Sequence, residues 1–218
     1  MDTNLINVAI QRAFLEKQLR TDTEGILEHM LGHDMQSARL RYEKACLLSS
    51  VHQDLCHILG DPAPEYIVSS LFLVQSHRVL ASCPDENMLI ATGKDFGPVK
   101  IIDTQVSVEV SEQSKVFVRA DSDSLGKALC SLDDYGHKLL AWFHSHPGTG
   151  PASVNPSATD LDTQNRLERG GYPVVGGIFS RDGYVRFFSI KNRFSSIRIY
   201  GKLVEKKDET TFHIKKAY

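Results

Sequence analysis

The sequence has no apolar stretch near the ~20 residues that a membrane helix needs. Its best run, Leu71-Phe72-Leu73-Val74, is stopped at once by Gln75-Ser76-His77-Arg78. Positive charge is not in excess either. Lys plus Arg is 25 and Asp plus Glu is 27, a net charge of −2, so a nucleic-acid backbone is not an expected partner. Cysteine is scarce: Cys46, Cys56, Cys83 and Cys130 are scattered without a CxxC pair, which reads as reduced thiols and not as a disulfide framework. A signal-peptide core is missing from Met1 to Arg20, where an acid stands at position 2 and no apolar segment is unbroken. Repeats and low-complexity tracts are absent too. These absences set the expectation of a cytoplasmic protein with no membrane contact.

What remains is a chain of 218 residues with 41% apolar and 24% charged side chains, enough for one sizeable domain with an appendage. Residues 1–60 read as a helical N-terminal extension. Leu5, Ile6, Ala9, Ile10, Ala13 and Phe14 share one face at helical spacing. A longer stripe follows the candidate N-cap Asp34: Met35, Ala38, Tyr42, Ala45, Leu48, Val51, Leu55 and Ile58. Gly60-Asp61-Pro62 then supplies a stop. Such a stripe is expected to dock within the chain, to form a homodimer, or to grip a partner.

Residues 65–218 read as a second unit. Tyr66 to Val68 predicts a short strand leading into a helix over 70–82. Asn87 to Thr92 and Leu139 to His144 predict buried strands, and Thr104 to Val110 and Val116 to Val118 alternate. Ser124 to Leu132 reads as a short helix, and Ser157 to Glu168 as a longer one. Val174 to Phe179 and Val185 to Ser189 flank a turn at Arg181-Asp182-Gly183. The expected class is α/β or α+β, a mixed sheet flanked by helices.

Chemistry concentrates in Trp142-Phe143-His144-Ser145-His146-Pro147 and, shortly after, Ser157-Ala158-Thr159-Asp160. Residues i and i+2 of a strand share a side, so His144 and His146 project together where Pro147 ends the strand. A helix starting at Ser157 puts Asp160 in its first turn, near that strand end. Two imidazoles and a carboxylate leave one tetrahedral zinc position open, the donor set of a catalytic site. Each part also has an ordinary explanation. HxH pairs occur by chance on surface strands, and Ser157 with Asp160 makes a capping box that needs no metal. Glu86, in Cys83-Pro84-Asp85-Glu86, stands at the mouth of a buried strand, where an acid must find a partner or shift its pKa. It is the candidate general base, with Asp85 as a rival on the opposite face and simple loop solvation as the bland alternative.

Together these residues resemble the JAMM, or MPN-plus, zinc metallopeptidases: a Glu closing the first helix (Glu86), then HxHP (His144, His146, Pro147), then SxxD (Ser157, Asp160). The resemblance covers about residues 65–190. It implies the JAMM/MPN fold and one Zn2+ per chain held by His144, His146 and Asp160. Glu86 would then be the general base, and the Ser157 hydroxyl a donor to the oxyanion. It also implies an isopeptidase acting on a ubiquitin-like protein or its conjugates, either deconjugating or maturing it. The matching activating and conjugating enzymes are further partners it suggests. The subgroup it looks most like is prokaryotic, with some members encoded in antiviral conjugation systems. Sulfur-carrier proteins or small peptides are alternative substrates, and a non-catalytic interaction module is the alternative class. The tail of a ubiquitin-like protein is expected to add as a strand near Thr104 to Val118 or Gly148 to Pro156. That second loop, nine residues long, is three longer than the family usually shows.

Overall fold

The computed structural model describes residues 3–106, 110–114, 117–120, 127, 136–191 and 194–215. Two long helices lead the chain, α1 (Thr3–Leu31) and α2 (Met35–Leu59). Asp34 caps α2 as its sequence position suggests, its carboxylate accepting the Ser37 N–H at 3.1 Å. Gly60, at φ 78°, ends it in a conformation that suits glycine. The turn between the helices holds His33 at φ 61°.

The rest builds a nine-stranded mixed sheet in the order β10-β11-β8-β7-β6-β2-β3-β1-β9. In chain order the elements are β1 (Glu65–Ser69), α3 (Ser70–Leu80), β2 (Met88–Asp95), β3 (Val99–Val106), β4 (Val110–Ser114), β5 (Phe117–Ala120) and β6 (Lys138–Ser145). Then come α4 (Ala158–Arg169), β7 (Val175–Phe179), β8 (Tyr184–Phe188), β9 (Ser196–Tyr200), β10 (Val204–Lys206) and β11 (Thr211–Ile214). β1 runs parallel to β3 and β9, and β6 runs parallel to β7; the other pairs are antiparallel. The expected α+β class, with a mixed sheet flanked by helices, is the observed one.

Side chains alternate across the sheet as a two-residue period demands. Val68, Leu89, Ile102, Phe143, Phe179 and Phe187 join Phe72, Leu73 and Leu80 of α3 on one face. Ile90, Trp142, Ile178 and Phe188 take the other face, where α4 lies. On that same face Ile67, Val99 and Ile101 meet Leu19, Ile26 and Leu27 of α1 and Ala45 of α2. Ion pairs accompany this docking: Arg20 and Arg198 reach the buried Glu65 at 3.0 Å, and Arg198 also pairs with Glu24.

Several expectations change. The expected stripe on α2 docks through its first half, where Ala45 joins the core cluster and Tyr42 and Leu48 pack against it, and turns outward at its ends. Ala38 and Ala45 are buried, whereas Met35, Val51 and Ile58 are exposed. Beyond Leu48 the buried positions of α2 are His52 and Cys56, polar residues that satisfy each other: Cys56 Sγ lies 3.4 Å from His52 Nδ1, and His52 Nε2 3.3 Å from Glu16. Leu5, Ile6, Ile10 and Phe14 are likewise exposed. Thr104 to Val106 end β3 and pair with Thr92, Ala91 and Ile90 of β2, beyond Ile102, the last β3 residue paired to β1. The helix expected over Ser124 to Leu132 lies outside the described residues except for Lys127. Strands β9 to β11 follow a stretch for which sequence periodicity made no prediction.

Gly93 shows how tightly β2 and β3 approach at the register shift beside Thr92. A Cβ there would stand 1.8 Å from the Ile101 carbonyl oxygen. Gly93→Ala is therefore expected to cost about 2–3 kcal/mol of stability by overpacking, read as a lower urea midpoint at unchanged slope.

Candidate metal centre

β6 carries the centre because its run Leu139 to Phe143 is buried on both faces between β2 and β7. Met88 pairs with His144, so β2 delivers residue 86 to the same end of the sheet. The ladder continues one bond past the strand, with the His146 N–H donating to Phe179 O at 2.8 Å. His144 and His146 consequently emerge together, their Nε2 atoms 3.1 Å apart.

Asp160 arrives from α4. Ser157 is the N-cap, and the capping box is complete: the Ser157 N–H donates to Asp160 Oδ2 at 2.7 Å and the Asp160 N–H to Ser157 Oγ at 3.3 Å. The same carboxylate faces both histidines, Oδ1 at 3.0 Å from His144 Nε2 and Oδ2 at 3.4 Å from His146 Nε2. Capping and ligation are thus not alternatives here; the carboxylate that completes the capping box also faces both imidazoles. Among the described residues, His144, His146 and Asp160 form the cluster whose ligand atoms all lie within 4.8 Å of one another.

The donor set fits a divalent cation. His146 Nδ1 donates to Ser153 O at 2.7 Å, which leaves the Nε2 lone pair for the centre. His144 is fully buried, its Nδ1 without a hydrogen-bond partner and its ring stacked on Trp142 at 4.8 Å and 5°. Burial pushes His144 below the usual imidazole range. Burial also opposes charge on His146, but the hydrogen bonds to Asp160 and to the Ser153 carbonyl outweigh it and raise its pKa. For Asp160 burial is again overcome, here by the two histidines, which hold the carboxyl well below its ordinary range. Two inward imidazole lone pairs beside an ionised carboxylate repel one another unless a proton or a cation lies between them. Protons and metal therefore compete. Metal retention at equilibrium with a weak chelator is expected to fall steadily as pH drops below neutrality, and calorimetric titration at two pH values should show proton release on metal binding.

Glu86 is buried while Asp85 is half-buried. Burial pushes the Glu86 carboxyl up to about 7; the Asp160 charge adds to the shift and His146 opposes it. The backbone of the next residue, Asn87, is pinned by Ser145, the residue between the histidines. The Ser145 N–H donates to Asn87 O at 2.9 Å, the Asn87 N–H to Ser145 Oγ at 3.0 Å, and Ser145 Oγ to Leu80 O at 3.3 Å. Sequence reasoning missed this role, although alternation on a strand aims Ser145 away from its neighbours and toward the α3 side.

Two further supports were not foreseen. Trp142 Nε1 donates to Gln164 at 2.7 Å, and Gln164 in turn donates to Glu168 and to Val174 O at 2.7 and 2.8 Å, tying α4 to the sheet one turn beyond Asp160. The long Gly148 to Pro156 loop folds into a 3-10 turn, Pro151–Val154. Val154 seals the core beneath it, and Asp182 accepts the Gly150 N–H at 2.9 Å. The loop is therefore structural: it supplies the carbonyl that orients His146.

No family model matches the chain. A stretch of it is similar to the histone deubiquitinase MYSM1 of Xenopus laevis, 32% identical over 80 residues. That stretch is 34% of this chain and 9% of that protein, so the similarity is local; it is compatible with a JAMM-like relationship. A solution structure of protein DSY2949 from Desulfitobacterium hafniense superposes with a TM-score of 0.46 at 18% identity, covering 63% of this chain and 94% of the other.

Proposed function

We propose that the chain is a zinc-dependent peptidase that cleaves after the C-terminal tail of a ubiquitin-like protein, removing it from conjugates or maturing its precursor. The observation that carries the reading is the convergence of His144, His146 and Asp160 beside a buried Glu86 whose carboxyl is poised near neutrality. The local similarity to a deubiquitinase supports the choice of substrate class.

His144, His146 and Asp160 would hold the ion. When bound, a cation of this kind supplies Lewis acidity, bringing the pKa of water near neutrality and polarising a carbonyl. Glu86 accepts the proton of the attacking water and returns it to the departing amine. Ser157 Oγ accepts the Asp160 N–H and keeps its own proton to donate to an oxyanion. Ser145 and the Trp142–Gln164 pair hold these groups in register. The β4–β5 hairpin pairs with itself among the described residues, which makes it the candidate for receiving an extended tail by strand addition.

The test is metal analysis of the purified full chain together with incubation against ubiquitin-like proteins carrying C-terminal fusions. About one zinc per chain with cleavage behind the tail is the expected result. Cleavage of sulfur-carrier or short peptide substrates instead would reassign the substrate, and bound zinc with no cleavage of any of them would favour an interaction module.

A further inference from the structure

The apolar residues that α2 leaves exposed are ordered. Ala38, Ala45 and Cys56 are buried, whereas Leu40, Leu47, Val51 and Ile58 are between 51% and 72% exposed. At 100° per residue these four fall within about 40° of one another, on the side away from Ala38 and Cys56. Lys44 and Asp54, both exposed, complete the row. Its positions, 40, 44, 47, 51, 54 and 58, step alternately by four and three, the spacing of a coiled-coil seam.

This row reads the same from either end. A second α2 laid antiparallel places Leu40 on Ile58, Lys44 on Asp54 and Leu47 on Val51, then repeats the three layers in reverse. Every layer is apolar against apolar or cation against anion. Parallel pairing would instead set Lys44 on Lys44 and Asp54 on Asp54. Lys44 already reaches the buried Asp22 at 2.9 Å, yet its side chain remains 52% exposed, and an ammonium has three donors to share. A surface complementary to its own antiparallel copy is what a twofold, isologous interface requires.

We propose that the exposed face of α2, with Leu40, Lys44, Leu47, Val51, Asp54 and Ile58, is a homodimer seam that takes a second copy of this chain in antiparallel register. The seam is independent of the peptidase reading and lies on a different element from the metal ligands.

Sedimentation velocity on the full chain at roughly 50 µM tests it, with far-UV circular dichroism as the check on folding. Wild type is expected as a dimer and Leu47→Glu/Val51→Glu as a folded monomer. Asp54→Lys sets lysine against Lys44 in two layers and is expected to weaken the dimer at least about tenfold. Lys44→Glu does the same with two acids, but mixing those two single variants restores both ion pairs and is expected to give a heterodimer. A monomeric wild type overturns the proposal, as does a dimer that survives Leu47→Glu/Val51→Glu. A dimer dissolved only by Ile10→Glu/Phe14→Glu would place the seam on α1 and overturn it equally. If Lys44→Glu does not fold without its pairing to Asp22, the Asp54→Lys and Leu47→Glu/Val51→Glu arms still decide.

Discussion

Glu86→Gln is expected to leave the metal content of the protein unchanged and to lower kcat by roughly 10²–10⁴-fold. The amide has the shape of the carboxyl and can occupy the same buried position behind Ser145, but it cannot accept a proton. Glu86 suits proton transfer because burial has already pushed its pKa up to about 7, which balances its readiness to take a proton against its readiness to return one. The active form is the carboxylate, so rate rises with pH through this group. A cation held by His144, His146 and Asp160 favours the ionised form and draws that limb below 7. The acidic limb of kcat/KM should accordingly lie on the acid side of neutrality in wild type and vanish in Glu86→Gln. Asp85→Asn is the control: the half-buried neighbour is expected to be replaceable at little cost. A variant Glu86→Gln that turned over normally would move the base elsewhere.

The clustering of His144, His146 and Asp160 was legible because it rests on short-range geometry. A two-residue strand period brings His144 and His146 to one side, and a helix start fixes where Asp160 stands. What holds these groups was not legible. The Ser153 carbonyl, the Trp142–Gln164 bond and the Ser145 contacts with residues 80 and 87 join positions between 7 and 65 apart in sequence, and no local pattern encodes them. Helix α2 teaches a related point. Its sequence carries two apolar faces, and periodicity alone cannot say which one meets the sheet. The docked face takes Ala38, Tyr42, Ala45 and Leu48 and then the polar pair His52 and Cys56, which is satisfied there through Glu16. The face with the larger exposed residues was left outward. Beyond Ser189 the strands are short, and β10 and β11 close the sheet by pairing with each other and with β8, so their existence depended on partners already in place.

Asp160 gives the sharpest separation between ligand and cap. Its Oδ2 serves both the Ser157 N–H and His146, while Oδ1 serves His144. Asp160→Asn can keep the cap through its remaining oxygen but loses the charge, so metal affinity is expected to fall at least about a hundredfold with little loss of fold stability. Asp160→Ala loses both, and a further ~1 kcal/mol of stability should go with the cap. Without metal the pH dependence of stability reports the loss of the charge alone, which the two variants share. The folded-state pKa of Asp160 is depressed, so its stabilisation is present above the unfolded value and lost as pH falls through the folded one; both variants should lack that component. Asp160→Glu is the informative third variant, because it keeps the charge and lengthens the arm. Helix α4 cannot withdraw to accommodate it, being bound to Trp142 and Val174 through Gln164 one turn on. Metal loss in Asp160→Glu is therefore expected despite the retained charge, read by calorimetric titration. Retention there would mean that α4 moves, and that the Trp142–Gln164 tie does not set the ligand distance.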